Sequence, residues 1–409
     1  MNKFILSLSF IALAHLFYAQ PRTEYWDADK SKKRVEENYK NGVQHGKTTS
    51  WYENGKVAKE SFFEQGKETG NWKTYYEDGK MKSDESYSNG TKTGSWTYWY
   101  VNGTKAQEMY FKNNLPDSVW KGWHESGKTK SEENYKSGKR NGKWTYWYEN
   151  GNKEHEGFFK DNFQEDVFKS WYMNGNHKQE GSYKNDKQCC KWTEWYSNGK
   201  LKQESEFKDS LLFINNFYDE TGGAIIKDGN GKFNLVYDNG NKKGGGNYKA
   251  GRMDGEWMFW TIAGKNDYVV NYVNGFKNGK CTLWYDDGKL KSEGPYVNDK
   301  KNGEWSWYRK DGSLEMKGNV KDNLRSGKWV YWFDSGQKES EGSFREDKMD
   351  STWSYWYRAG TKQKEGNYKN DIKQGEWNFW YESGFKLQQG KYVNNKEEGT
   401  WFSWYDKDH

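Results

Sequence analysis

Large aromatic side chains recur along the chain with a period of 24 residues. Each copy carries an aromatic residue, or Val320 in one copy, just before a turn-forming stretch, and this residue is counted as position 0. The position-0 residues are Tyr39, Phe63, Tyr87, Phe111, Tyr135, Phe159, Tyr183 and Phe207, and then Tyr248, Tyr272, Tyr296, Val320, Phe344, Tyr368 and Tyr392. A fixed period of this length is typical of tandem repeat proteins, in which each copy is one supersecondary unit.

Tryptophan follows the same period, because 23 of the 25 tryptophans fall at position 9 or position 12. Position 9 holds Trp72, Trp96, Trp120, Trp144, Trp192, Trp257, Trp305, Trp329, Trp353, Trp377 and Trp401. Position 12 holds Trp51, Trp99, Trp123, Trp147, Trp171, Trp195, Trp260, Trp284, Trp332, Trp356, Trp380 and Trp404. Tryptophan therefore belongs to the repeat itself and does not mark a catalytic pocket.

Each repeat has the pattern of a β-hairpin. Residues 143–149 (KWTYWYE) are aromatic or threonine-rich, which favours a strand. Asn150-Gly151 follows, and such pairs tolerate the positive φ that a two-residue type I′ turn requires. A second strand leads to the next position 0, and the glycine-rich positions 1–7 then turn the chain again. The pattern predicts a continuous antiparallel meander.

The two-residue turn also predicts the strand register. Positions 14 and 17 pair, so position 13 lies opposite 18, 11 opposite 20 and 9 opposite 22. One face then carries the aromatic positions 9, 11, 13 and the next position 0; the other is polar apart from the tryptophan at position 12. Position 22 is often glycine, and we expect the position-9 ring to cover it. The expected pairs are Trp144 with Gly157, Trp329 with Gly342, Trp353 with Gly366 and Trp377 with Gly390.

These features predict an all-β fold: an elongated single-layer antiparallel meander of tandem 24-residue β-hairpin repeats, forming a twisted, solenoid-like ribbon. The repeats define the domain organisation. It comprises a signal peptide at 1–19, an N-terminal capping segment at 20–38, a first block of seven units at 39–206, a short irregular unit at 207–223 and a second block at 224–409 with seven full units and a partial C-terminal one.

The composition indicates which side chains form the apolar surface of this fold. Hydrophobic residues make up 33% of the chain and aromatic residues alone 19%, so rings supply most of the apolar surface. Disordered chains are poor in aromatics, so disorder is not expected. The net charge is +6, and the charged residues are interspersed along the chain. A nucleic-acid-binding protein concentrates its basic residues on one face, so no nucleic-acid partner is predicted.

The first 19 residues have the pattern of a secretory signal peptide. Lys3 supplies a positive charge, residues 4–18 are largely apolar, and Ala19 suits the position before a cleavage site. This predicts export to the periplasm, cell surface or extracellular space. No later segment is apolar enough to span a membrane, so the mature protein is not expected to be membrane-spanning.

The reactive residue types do not converge on one predicted site. The three cysteines are Cys189, Cys190 and Cys281, and the last stands at a tryptophan position. The histidines after residue 19 are His45, His124, His155, His177 and His409, at unrelated positions. Glu132 and Glu133 belong to a recurring charged pattern, whereas glycoside hydrolysis needs two carboxylates in a cleft. We therefore predict no catalytic residue, no metal site and no cofactor, and a protein that is not an enzyme.

The sequence NGKW at Asn141–Trp144, followed by Trp147-Tyr148-Glu149-Asn150-Gly151, resembles the MORN-repeat variant family. The resemblance extends over nearly all of residues 39–409. It implies elongated single-layer antiparallel sheets. Bacterial members are often grouped as YwqK-type antitoxins, and eukaryotic relatives of the broader class are associated with scaffolding and membrane attachment. The family supplies no catalytic residues to transfer.

The position-12 tryptophans are the predicted binding residues, because they form a row on an otherwise polar face. The candidates are Trp99, Trp123, Trp147, Trp171, Trp195, Trp332, Trp356, Trp380 and Trp404. The row could hold a sugar chain, a peptide or a partner protein; alternatively, each ring packs on neighbouring Lys and Glu stems. The expected function is an exported non-enzymatic scaffold binding a protein, glycan or lipid of the envelope. The alternative is an antitoxin or immunity protein that sequesters a toxin.

Overall fold

The computed structural model describes residues 21–405, and within that range it contains β-strands and turns but no helix. The predicted signal peptide and His409 lie outside the described residues. No helix that could cross a membrane is found between residues 21 and 405. The chain divides into two compact units, one of residues 21–202 with 207–210 and the other of residues 203–206 with 211–405.

The first unit contains eighteen strands, and a nineteenth, β19 (Leu201–Lys208), contributes residues to both units. Its strands are β1 (Arg22–Tyr25), β2 (Lys33–Glu37), β3 (Tyr39–Lys40), β4 (Val43–Gln44), β5 (Gly46–Trp51), β6 (Val57–Glu64), β7 (Lys67–Tyr75), β8 (Met81–Ser88), β9 (Thr91–Lys92), β10 (Gly94–Trp99), β11 (Lys105–Lys112), β12 (Leu115–Trp123), β13 (Thr129–Lys136), β14 (Lys139–Trp147), β15 (Lys153–Lys160), β16 (Phe163–Trp171), β17 (His177–Lys184) and β18 (Lys187–Trp195).

The second unit contains the strands that follow β19. They are β20 (Leu211–Tyr218), β21 (Ala224–Ile226), β22 (Gly231–Val236), β23 (Lys242–Lys249), β24 (Arg252–Trp260), β25 (Asn266–Val273), β26 (Phe276–Trp284), β27 (Leu290–Val297), β28 (Lys300–Lys301), β29 (Gly303–Tyr308), β30 (Leu314–Lys321), β31 (Leu324–Trp332), β32 (Lys338–Arg345), β33 (Lys348–Trp356), β34 (Lys362–Lys369), β35 (Ile372–Trp380), β36 (Lys386–Val393) and β37 (Lys396–Ser403). Successive strands pair antiparallel through most of each unit, which confirms the predicted all-β meander of hairpins. The meander is interrupted between β21 and β22, which belong to different sheets.

The register inside a repeat is confirmed at the centre of the hairpin and differs near its turn. Trp144 lies opposite Gly157 and Tyr146 opposite His155, as the pairing of positions 9 with 22 and 11 with 20 predicts. Trp147 at position 12 then lies opposite Lys153 at position 18, because a β-bulge shifts the register by one residue. The expected pairing of position 13 with 18 is therefore wrong.

The turn after position 13 explains the difference. The N–H of Gly151 donates to the carbonyl of Tyr148 at 2.9 Å, and the N–H of Tyr148 donates to the carbonyl of Asn152 at 2.8 Å. Only Gly151 has a positive φ, 97°, so the connection is a three-residue loop and not the predicted type I′ turn. Asn150 serves as a hydrogen-bonding residue instead: its Oδ1 accepts the N–H of Asn152 at 2.9 Å.

Type I′ turns do occur, but at positions 2 and 3. Ser137 and Gly138 have φ of 49° and 85°, and the flanking Lys136 and Lys139 pair directly. The same two-residue turn with positive φ at both positions is formed by Asn41-Gly42, Gln65-Gly66, Asn89-Gly90, Asn113-Asn114, Asp161-Asn162, Asn185-Asp186, Asn274-Gly275, Asn298-Asp299, Asp322-Asn323, Glu346-Asp347, Asn370-Asp371 and Asn394-Asn395. Most of the residues in these turns are Asn, Asp or Gly, which tolerate left-handed φ.

The repeat that begins at Ala224, counted as a full unit from its sequence, keeps only some of these features. Its type I′ turn is formed by Asp228 and Gly229, which both have positive φ. If Ala224 is counted as position 0, the turn was expected two residues earlier, at residues 226–227. The downstream half returns to the predicted register, because Tyr237 at position 13 makes the same hydrogen bond as in the other repeats, to the carbonyl of Trp260 at 2.8 Å. Ile226, which is 0% exposed, lies two residues before this turn, where the other repeats have their position-0 residue.

The position-9 tryptophans form the core, as their face predicts. Trp257, Trp305 and Trp377 are 0% exposed. In the first unit their rings alternate with those of position 0, at centroid distances of 4.6 Å from Trp120 to Tyr135 and 5.2 Å from Tyr135 to Trp144. The contacts are tilted, a favourable geometry for aromatic pairs. The indole N–H is also satisfied in many copies; Trp144 Nε1 donates to the carbonyl of Asn134 at 3.0 Å.

The tryptophan ring that covers most position-22 glycines comes from the next repeat and not from the predicted partner. Trp329 and Gly342 are register partners, but a Cβ added to Gly342 would lie 2.1 Å from Cδ2 of Trp353. Likewise Gly366 is covered by Trp377 and Gly390 by Trp401. The glycine strand lies between two tryptophan strands, and the β-bulge in the following hairpin directs the later ring onto it. The expected assignment of rings to glycines is therefore wrong by one repeat.

Candidate binding surface

The position-12 tryptophans lie half-buried on the polar face, and Trp404 is 41% exposed. Many of these rings lie beside a lysine at position 18 of the preceding repeat. The Nζ atom of Lys153 lies 5.4 Å from the ring centroid of Trp171, and that of Lys338 lies 5.0 Å from Trp356. The same pairing occurs for Lys105 with Trp123, Lys362 with Trp380 and Lys386 with Trp404. His177 takes the place of the lysine between Trp171 and Trp195.

Lysine lies on this face because of the β-bulge beside the three-residue turn. Without the bulge, positions 12 and 18 would not be opposite each other, and the lysine at 18 would point to the aromatic face. With it, Lys153 reaches both Trp171 of the next repeat and the carboxylate of Glu156, at 2.7 Å. The bulge therefore places a cation next to the tryptophan row.

Most of the predicted binding tryptophans have their backbone carbonyl bound by position 13 of the preceding repeat. The hydroxyl of Tyr148 donates to the carbonyl of Trp171 at 3.0 Å, and that of Tyr172 donates to Trp195 at 2.9 Å. The same bond ties Trp99, Trp123, Trp380 and Trp404 to Tyr76, Tyr100, Tyr357 and Tyr381. His124 and Arg309 make the equivalent contact to Trp147 and Trp332. We call these bonds the position-13 straps.

A second link between repeats starts at the type I′ turns. Asp347 Oδ1 accepts the N–H of Arg325 at 2.8 Å, while the N–H of Asp347 donates to the carbonyl of Arg325 at 3.0 Å. Where the turn has glycine instead, as at Gly138, only the backbone bond remains, to the carbonyl of Pro116 at 2.7 Å. We call the bonds from position 3 to the preceding repeat the position-3 clasps. Sequence reasoning missed the clasps and the straps, and the recurring Asp or Asn at position 3 and Tyr at position 13 were the available signals.

Two glutamates of the polar face each contact two lysines. Glu156 contacts Lys143 at 3.0 Å and Lys153 at 2.7 Å. Burial alone would raise the pKa of Glu156, but the hydrogen bonds from the two lysines outweigh it, and the pKa is lowered. Glu341 bridges Lys328 and Lys338 in the same way. Each of these two groups holds one more cation than anion, whereas Glu108 and Glu365 each contact a single lysine of the row.

The residues with reactive side chains are dispersed. Cys281 is buried at position 9, where burial raises the pKa of its thiol. Cys189 and Cys190 are neighbours with Sγ atoms 3.2 Å apart, and Cys190 has the left-handed φ of 64° that glycine adopts in most repeats at position 7. Between residues 21 and 405 no three His, Cys, Asp or Glu side chains are grouped so that they could hold a metal ion.

Comparison with solved structures gives matches of low identity. A TcdB2–TccC3–Cdc42 crystal structure shares 10% identity, with 91% of this chain and 25% of that chain covered and a TM-score of 0.16. The Tc holotoxin pore of Photorhabdus luminescens shares 12% identity, with 90% and 22% covered and a TM-score of 0.14. The chain thus spans about a quarter of the length of the solved chains it matches. No curated protein matches it in sequence.

The repeats themselves match a known family, the MORN repeat variant. The matched segments are 44–65, 68–89, 116–137, 140–161, 167–185, 191–209, 277–298, 301–322 and 349–370. They fall in both compact units, and each contains the turn in which a glycine N–H donates to the carbonyl of position 13. The chain is therefore a tandem repeat protein, and nine of its segments match the MORN repeat variant.

Proposed function

We propose that the protein is an exported, non-enzymatic scaffold that binds an extended partner along its polar face through the position-12 tryptophan row. MORN repeats are in general scaffolds that bind proteins or membranes. The observation that carries the proposal is the repeated Lys–Trp pair, such as Lys153 with Trp171, in which the tryptophan backbone is held by the strap from Tyr148. A row of rings whose backbone is already fixed is suited to binding, because little conformational entropy is lost when a partner binds.

The charges beside the row favour an anionic partner. Glu156 and Glu341 each bridge two lysines, so every such group keeps a net positive charge next to a tryptophan. A lysine ammonium beside an indole can pair with a carboxylate or phosphate while the ring packs on an apolar or sugar surface. An acidic glycan, lipid headgroup or protein segment of the cell envelope has this combination.

The repeat also sets how such a partner is held. Position-12 residues of adjacent repeats are two strands apart, about 10 Å. One ring alone contributes little affinity, but linked contacts along one polymer raise avidity. We therefore expect the loss on mutation to be graded and not all-or-none.

The test is capture from envelope extract with the purified mature chain. Wild type is compared with Trp147→Ser and with the triple variant Trp147→Ser, Trp171→Ser and Trp195→Ser. Capture should fall modestly in the single variant and far more in the triple one, with circular dichroism unchanged. Phe163→Ser, which alters an aromatic residue that is 50% exposed outside the row, is the matched control and should bind as wild type. Full capture by the folded triple variant would remove this stretch of the row from the mechanism.

The same experiment separates the alternative role. If the chain is an antitoxin of the YwqK type, the captured partner is a single toxin protein, and its activity falls when the chain is added. Export is tested separately by cell fractionation and N-terminal sequencing, with Gln20 expected as the first residue of the exported form. An uncleaved chain retained in the cytoplasm would contradict the export half of the proposal.

A further inference from the structure

The aromatic face, opposite the position-12 row, has a gap above Gly157. At other position-22 glycines an added Cβ would lie 2.1–2.4 Å from the covering tryptophan. These glycines are Gly181, Gly246, Gly294, Gly318, Gly342, Gly366 and Gly390. At Gly157 the nearest atoms are Cδ2 of Phe168 and Nε2 of Gln164, both at 3.4 Å. The reason is that position 9 of the following repeat is Phe168, a smaller ring than tryptophan.

The gap forms a cavity of about 190 Å³ across β14, β15 and β16. Gly157 on the central strand is its floor. Trp144 on β14 and Phe168 on β16 line it from the two sides, and Phe159 adds a third ring. For comparison, an apolar cavity of about 150 Å³ holds a benzene molecule, so this one has room for a single six-membered ring.

Polar groups line the same cavity. The guanidinium carbon of Arg140 lies 5.1 Å from the ring centroid of Trp144 and 5.2 Å from that of Phe159. Arg140 forms no side-chain ion pair with any residue of the described range 21–405. Its guanidinium is therefore held by two rings while its donors stay available to a ligand.

His155 and Gln164 complete the lining. The imidazole of His155 stacks on Tyr146 with ring centroids 4.5 Å apart, and burial lowers its pKa, so at neutral pH it offers one donor and one acceptor. The amide of Gln164 lies over the floor of the cavity and offers both donors and an acceptor. A purely apolar ligand would leave these groups without partners.

We propose that this cavity binds one six-membered sugar ring that carries a carboxylate, a hexuronate. The carboxylate pairs with the Arg140 guanidinium, whose fork of N–H donors matches it in geometry. The apolar face of the sugar packs on Trp144 and Phe168, and its hydroxyls bond to His155 and Gln164. The site is independent of the position-12 row, because it lies on the opposite face of the sheet.

The test is isothermal titration of the purified chain with three probes: D-glucuronate, D-glucose and benzoate. We expect saturable binding of glucuronate, binding of glucose at least about tenfold weaker because it lacks the charged hydrogen bonds, and weak binding of benzoate, which leaves His155 and Gln164 unpaired. Absence of glucuronate binding to wild type would overturn the proposal. Benzoate bound as tightly as glucuronate would overturn the assignment of a sugar.

Two variants locate the site. Phe168→Trp restores the residue that other repeats have at position 9 and should fill the cavity, abolishing binding while the melting temperature stays the same or rises. Arg140→Gln introduces the residue found at the equivalent position 164, and should weaken glucuronate about tenfold or more while leaving the weak binding of glucose unchanged. Unaltered glucuronate binding in a folded Phe168→Trp protein would show that the ligand does not occupy this cavity.

Discussion

The indole ring of Trp353 packs directly on the backbone of Gly342, so closely that a Cβ at position 342 would lie 2.1 Å from Cδ2 of the ring. Trp353 is only 3% exposed and belongs to the repeat after the one that contains the glycine. Each such pair therefore joins two consecutive repeats, so the core links every repeat to its neighbour in addition to the ring contacts inside one repeat, such as Tyr135 with Trp144.

Substituting alanine for this glycine should be costly. Gly342→Ala forces Trp353 or the strand to move, and overpacking of this kind costs about 1–3 kcal/mol in free energy of unfolding. Gly157→Ala is the matched control, because its nearest neighbours lie at 3.4 Å. Its cost should be below about 1 kcal/mol, since the lower entropy of the unfolded chain offsets part of it. Equal losses in urea melts of the two variants would contradict the close packing at Gly342.

The two tryptophan rows should differ in their contribution to stability. Trp377 is 0% exposed and Trp144 is 6% exposed, so Trp377→Ala or Trp144→Ala should cost about 3 kcal/mol or more. Trp147 is half-buried on the polar face, and Trp147→Ala should cost clearly less. The measurement is the shift in denaturation midpoint for each variant. If Trp147→Ala cost as much as Trp144→Ala, both faces of the sheet would have to be buried, as in a dimer.

Removing one strap should weaken the link between two repeats. Tyr148→Phe keeps the ring but deletes the hydroxyl that donates to the carbonyl of Trp171 at 3.0 Å. We expect a loss of about 1 kcal/mol, the usual net contribution of such a bond. Tyr110→Phe, at a tyrosine that is 41% exposed, is the control and should leave the melting curve unchanged. A strap variant that melts like the control would show that the carbonyl is equally well satisfied by water.

The clasp made by Asp347 predicts a pH effect. The hydrogen bond from the Arg325 N–H, helped by the Arg325 side chain, lowers the pKa of Asp347. A carboxyl with a lowered pKa stabilises the fold above its unfolded-state pKa, about 3.9, and this stabilisation is lost as pH falls through the lower folded-state value.

Asp347→Asn provides the test, because asparagine forms the same clasp at Asn323 and Asn395 without an ionisable group. Between pH 5 and pH 2, the thermal stability of wild type should fall more steeply than that of the variant. Parallel curves for the two proteins would mean that protonation of Asp347 does not affect the fold.

The repeat period, the two tryptophan rows and the central register could be predicted from sequence, because each depends on residues that recur in nearly every copy. Trp144 and Gly157, for example, are opposite each other as expected. The turn type could not be read from Asn150-Gly151, because the same pair fits a type I′ turn and a three-residue loop that ends in glycine. The structure uses the second, and the resulting bulge changes the position of Lys153.

The covering rings and the cavity depend on neighbours that a single hairpin does not reveal. Pairing within one repeat predicts that Trp329 lies near Gly342, but the bulge in the next hairpin brings Trp353 onto that glycine. Phe168 looks in the sequence like a minor variation of the pattern. Only its place above Gly157 shows that replacing an indole by a phenyl ring opens a space.

The clasps and straps have a consequence for how such a gene can change in length. Asp347 accepts a hydrogen bond from the residue 22 positions before it, and the hydroxyl of Tyr148 donates one to the residue 23 positions after it. Duplication or deletion of one whole copy by unequal recombination leaves every remaining donor facing an acceptor of the same kind. An insertion of one or two codons within a strand would instead shift the residues that form these bonds away from their partners. Selection on these contacts therefore favours growth and shrinkage of the array in whole copies.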